Sequence, residues 1–143
     1  MSRCLPLLCL LFSPISALFP SIGKLQSVAV EGKLLCNDKP YEHAHLKLYD
    51  VDFGLPDDLM GEGRSKVDGT FRVEGSETEW TKIDPKVNIY HNCNDENKEC
   101  WRKIEIRIPD DFIAEGNKAE KTFSVGTLNL GGTLPGESRD CFN

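Results

Sequence analysis

His43 and His45 stand two apart in the run "HAHLKLYD", and His91 opens the stretch "HNCNDENKEC". In a strand, residues two apart share a face, so the first pair could hold a metal ion between two imidazoles. With His91 as a third nitrogen ligand, the set would match a catalytic zinc site, which turns bound water into a nucleophile. Against this, the chain carries no HExxH pattern, and nothing in the spacing brings His91 to the pair. His43 and His45 are therefore assigned to a solvated face opposite Ala44 and Leu46. A second group, Asp50, Asp52, Asp57 and Asp58 in "DVDFGLPDD", offers oxygen ligands of the kind calcium prefers. It lacks the fixed offsets, central glycine and distal glutamate of an EF-hand loop, so it is taken as a solvated loop.

No nucleophile has a recognisable setting: there is no GxSxG elbow, phosphate-binding loop or dinucleotide fingerprint. The expectation is a chain with no catalytic residue, no metal and no cofactor. Of the two tryptophans, Trp80 lies in a polar stretch and is the expected partner contact, while Trp101 adjoins Cys100 and is expected to pack on a disulfide.

The cysteines depend on what happens at the N-terminus. Residues 1–17, "MSRCLPLLCLLFSPISA", have a basic n-region at Arg3, an apolar core too short to cross a bilayer, and small residues at Ser16 and Ala17. This is the pattern of a signal peptide, and it predicts a secreted, extracellular product spanning 18–143. Cleavage removes Cys4 and Cys9, leaving Cys36, Cys93, Cys100 and Cys141 for two disulfides. It also leaves sixteen Lys and Arg against 23 Asp and Glu, a net charge of −7. The sequence pI is about 5.1. No basic stripe exists for nucleic acid.

Zinc-type pairing of the cysteines fails on spacing, and no CxxC redox motif occurs. "KVNIYHNC" and "CWRKIEIRIP" flank a polar turn and predict a hairpin with Cys93 and Cys100 on facing strands. That crosslink would contribute about 2.5 kcal/mol on the chain-entropy account. Cys36 then joins Cys141 by elimination and pins the tail, residues 132–143. The other two connectivities stay open on sequence alone.

The elements that must position these residues alternate with period two. Val28, Val30 and Leu34 share one face of the first strand; Ala44, Leu46 and Leu48 do so in the next. "LPDDLMGEGRSK" predicts a loop and a short edge strand, and "VDGTFRV" predicts a tight Asp-Gly hairpin turn. "EGSETEW" interrupts the alternation and is assigned to loop or a single helical turn. Ile104, Ile106 and Ile108 face one way until Pro109 ends their strand, and "TFSVGTLNL" supplies the last one. The sum is an all-β, seven- to eight-stranded antiparallel β-sandwich with its core over about 26–131.

Four motifs in order, "VAVEGKLLCNDKPYEHAHLKLYDVD", "DDLMGEGRSKVDGTFRVEGSETE", "IDPKVNIYHNCND…KECWRKIEIRIPDDFI" and "TLNLGG…PGESRDC", resemble the nematode transthyretin-like family from about residue 26 to Cys141. The resemblance implies a transthyretin-type sandwich, secretion and a disulfide-bearing "HNCND" hairpin. Transthyretin carries hormone in a tetramer channel, and its enzymatic cousins hydrolyse 5-hydroxyisourate with histidines, an arginine and a Tyr-Arg-Gly-Ser terminus. This chain has no histidine in "SVAVEGKLL" and ends "SRDCFN", so the hydrolase apparatus is missing. The expected function is a non-catalytic extracellular binding protein contacting a cell-surface receptor, lipid or small hydrophobic ligand. The alternatives are an oligomeric carrier of small molecules and a metal-dependent or hydroxyisourate-type hydrolase.

Overall fold

The structure, a computed structural model, describes residues 23–142. The expected signal peptide lies outside the described residues. Ten strands form two five-stranded sheets. They are β1 (Lys24–Cys36), β2 (Lys39–Pro40), β3 (His45–Asp50), β4 (Asp58–Arg64), β5 (Thr70–Glu79), β6 (Pro85–His91), β7 (Trp101–Arg107), β8 (Ala114–Glu115), β9 (Thr122–Asn129) and β10 (Ser138–Asp140). One sheet gathers β2, β5, β8 and β9 on the long β1; the other runs β10-β7-β6-β3-β4. Among the described residues, no helix is long and apolar enough to cross a membrane.

The alternation in the sequence becomes the interior. Val28, Val30 and Leu34 of β1 meet Leu46 and Leu48 of β3, Phe71 and Val73 of β5, Val87 and Ile89 of β6, and Ile104 of β7. Burying each such side chain contributes about 1.5–3 kcal/mol before the entropy of ordering is subtracted. The fold is the expected all-β sandwich with two disulfides. One ladder departs from antiparallel: β9 runs parallel to β1, with a register shift between Glu31 and Lys33.

Two local expectations change. The Asp-Gly turn forms, closed by Gly69 N–H to Lys66 O at 2.8 Å, with Gly69 at φ +83°. Yet its flanking strands do not pair: β4 lies in one sheet and β5 in the other. A tight turn dictates reversal, and here the reversed chain crosses between layers. "EGSETE" is not loop but the outer half of β5, in register with Lys24–Ala29 of β1. Its side chains are polar because this half extends beyond the core. β4 is the predicted edge strand. It approaches β5 closely enough that a Cβ on Gly75 would meet Met60 O at 2.5 Å, and one on Gly61 would meet Glu74 O at 2.7 Å.

The disulfide pairing is also corrected. The β6–β7 hairpin exists, but its ladder stops at His91↔Arg102. Beyond it the chain turns, with Asp95 N–H donating to Asn92 O and Asn94 at φ 59°. Cys93 and Cys100 are therefore not joined across the hairpin. Cys93 is buried and bonds Cys36 at the end of β1; Cys100 bonds Cys141. The second bond follows from register, since Asp140↔Trp101 on β10–β7 sets the next residues, Cys141 and Cys100, opposite each other.

Candidate functional site

The sandwich has two chemically distinct ends. At one, β1 finishes at Cys36 and the β6–β7 ladder ends; there both disulfides meet a buried ion pair. Arg102 on β7 directs Nε and Nη2 to the Glu137 carboxylate. Its Nη1 donates to Cys93 O at 2.9 Å and Leu130 O at 3.0 Å, and Nη2 also donates to Gly132 O at 2.6 Å. All five guanidinium N–H groups thus have acceptors, which is what makes a buried cation tolerable. The Arg102 hydrogen bonds hold the Glu137 carboxyl below its usual range. Arg139 likewise clasps Asp95 and lowers its pKa.

His91 lies at this end on the interior face, fully buried, in the same alternation as Val87 and Ile89. Its Nδ1 accepts from Cys93 N–H at 3.1 Å, which places the ring proton on Nε2. Burial first, and the Arg102 charge second, push its pKa down to about 4. His45 points to the outer face, with Nε2 3.1 Å from Glu62 Oε2. His43 precedes β3 at φ 69° and pairs with the neighbouring Glu42. The three histidines are not brought together: His91 is interior, whereas the other two face outward.

The opposite end collects carboxylates. Asp50 closes β3, Asp58 opens β4, Glu79 closes β5, and Asp52 follows two residues after Asp50. One oxygen from each of the four lies within 4.8 Å of the others. Asp50 and Asp58 are direct cross-strand partners, a rung on which like charges repel. Asp50 is not the solvated residue expected from sequence. The alternation that buries Leu46 and Leu48 turns it inward, at 2% exposure. Its Oδ1 accepts from Asp84 N–H at 2.8 Å, while Oδ2 is buried with no hydrogen-bond partner. Asp57, the fourth sequence candidate, leaves the group and pairs with Lys86 at 2.9 Å.

The crowding shows in protonation. A hydrogen bond shared with Asp58 first, then burial, then the charges of Asp58, Asp50 and Glu79 push Asp52 up to about 6. Glu79 rises through burial and then the Asp50 charge, and Glu77 through burial and then Asp58. Glu79 carries no sequence signal, since "EGSETEW" lacks apolar alternation; its place on the same rung as Lys24 shows only once β5 extends to full length.

Apolar side chains stand exposed around this cluster. A turn from Asp52 to Leu55, with Gly54 at φ +79°, presents Phe53 at 104% and Leu55 at 70% exposure. Trp80, next to Glu79, is 70% exposed. The 80–84 connection that carries it is braced twice. Buried Gln26 donates to Thr81 O at 2.8 Å and accepts from Ile83 N–H at 3.0 Å, and Val51 N–H bonds Asp84 O at 2.9 Å. Trp80 also borders a cleft of about 290 Å³ shared with Lys24, Lys82 and Ile113. Trp101 is half-buried beside Cys100. The sequence signal for Phe53 and Leu55 is their apolar character within an otherwise acidic loop.

The chain is thus a two-sheet β-sandwich braced by two disulfides, with an acidic cluster at the end opposite them. Residues 31–109 match the transthyretin-like family. Over 138 residues the chain is 46% identical to transthyretin-like protein 5 of Caenorhabditis elegans, covering 96% of each chain. It is 42% identical to transthyretin-like protein 33 of that species, over 82% of this chain and 83% of the relative. To transthyretin-like protein 1, also from C. elegans, it is 41% identical over 84% and 82%. Among solved structures, a 9R-lipoxygenase from Cyanothece PCC8801 aligns with 73% of this chain and 16% of its own at 22% identity and a TM-score of 0.43, a likeness that carries no argument. The chain belongs to the transthyretin-like family.

Proposed function

We propose that this chain is a secreted, non-catalytic binding module that meets a cell-surface protein through Phe53, Leu55 and Trp80. The observation that carries the reading is their exposure, at 104%, 70% and 70%, on two loops braced from beneath. Exposed aromatic and aliphatic anchors on a rigid base are what the centre of an interface requires. A protein partner is favoured over anionic lipid because the expected mature charge of −7 repels such a surface. Export is supported by the leader pattern at 1–17 and by the two disulfides.

The test is saturable binding of the labelled, oxidised protein to intact cells of the source organism, compared with the F53S/L55S/W80S variant. These side chains are exposed, so the variant should keep its fold, checked by circular dichroism. At least a tenfold loss of binding is expected. Equal binding by the variant, or no saturable binding by the wild type, overturns the reading.

A further inference from the structure

We propose that Asp50, Asp52, Asp58 and Glu79 form a calcium site at the loop end of the sandwich. Four carboxylates from three different strand ends converge until their oxygens lie within 4.8 Å of one another. That is a spacing a calcium ion can span, since two oxygens at about 2.4 Å on opposite sides of it are about 4.8 Å apart. The donors are all oxygen, with no histidine or cysteine among them, which selects a hard cation.

Acidic residues often gather on a surface without binding anything, but two features set this group apart. The first is Asp50. It is 2% exposed, its Oδ1 is used by the Asp84 amide, and its Oδ2 is buried without a partner. A buried carboxylate oxygen left unpaired costs free energy that folding has no reason to spend on packing alone. The second is the missing counter-charge. Among the described residues, no Lys, Arg or His forms an ion pair with any of the four, although nearby Lys86 and Arg107 pair with Asp57 and Asp84. Cations in reach are thus directed to neighbouring carboxylates, and the converging four are left without a counter-charge from the described residues.

The Asp50↔Asp58 rung then has a purpose, because the ladder register brings two ligands together from adjacent strands. The turn from Asp52 to Leu55 supplies the third ligand, and the outer half of β5 the fourth. Backbone carbonyls and water complete the six to eight oxygens that calcium takes. The site stands whatever partner the apolar tips meet.

Calcium titrated calorimetrically into the full oxidised protein, stripped of metal at neutral pH, should bind at one site. A Kd on the order of 10⁻⁴ to 10⁻³ M is expected, the range of extracellular modules. Melting temperature should rise with calcium by mass action. D52N and D58N should each weaken binding at least tenfold; both residues are partly exposed, so the variants fold, and circular dichroism checks it. D57N, which removes an equal charge outside the group, should bind within about twofold of wild type. The proposal is overturned if 10 mM calcium gives neither heat nor a thermal shift, or if D52N and D58N bind like wild type.

Discussion

At the disulfide end, a buried guanidinium meets a buried carboxylate, and each of its N–H groups has an acceptor. At the loop end, three aspartates and a glutamate converge with no cation paired to any of them among the described residues. Both clusters are polar and both sit where strands terminate, so location alone does not separate them. Completeness does. A network whose donors and acceptors all match is a brace, whereas one with a surplus of a single sign is waiting for a counterpart.

The sharpest way to break this contrast is to cut the braces. Removing Cys36–Cys93, whose cysteines are 57 residues apart, should cost about 4 kcal/mol on the chain-entropy account, and Cys100–Cys141, at 41, nearly as much. Denaturant unfolding of the Cys→Ala pairs measures both. Peptide mapping of the oxidised protein should recover 36–93 and 100–141 crosslinks; a 93–100 crosslink would disprove the pairing. Next in size, Glu137→Ala leaves Arg102 charged and unpaired in the interior and should cost about 3 kcal/mol in the same measurement.

The ends should also respond to acid in opposite directions. His91 has its pKa lowered to about 4, so between about pH 6.5 and 4 the unfolded chain takes up a proton that the folded chain refuses. Its contribution is full above that window and falls by about 3 kcal/mol as pH drops through it. Arg102, Glu137 and Asp95 are the charges that face it. His91→Asn, which can still accept from Cys93 N–H, should flatten this slope. The smallest effect has the other sign. Asp52, raised to about 6 among Asp58, Asp50 and Glu79, holds its proton better folded than unfolded, so its contribution is lost as pH rises through 6. Asp52→Asn in calcium-free buffer should therefore raise the melting temperature at pH 7.5, on the order of 1–2 °C, and leave it unchanged at pH 4.

Much of this was legible beforehand. Period-two runs located β1, β3 and β7 and their inward residues, whereas β6, buried along its whole length, is legible only as the hairpin partner of β7. The same rule applied one step further along β3 turns Asp50 inward, yet its neighbours' acidity suggested solvent. The cysteine pairing was not legible: a local hairpin offered plausible geometry, and only the place where its ladder stops decides otherwise. Nor was Glu79, because strand β5 outlasts the core and loses its apolar signature while keeping its hydrogen bonds to β1. Turn chemistry predicted the bend at Gly69 but not the layer into which the chain would go.

Strand β1 runs the whole length of the body, from Lys24 opposite Glu79 to Cys36 in its crosslink, while Cys141 is crosslinked at Cys36's end. The molecule is thereby directional, like a peg with a capped base. A tether attached beyond Cys141 would hold it by the covalently locked foot and leave the carboxylate-bearing tip pointing away from the support, whereas cargo fused ahead of Gly23 would crowd that tip.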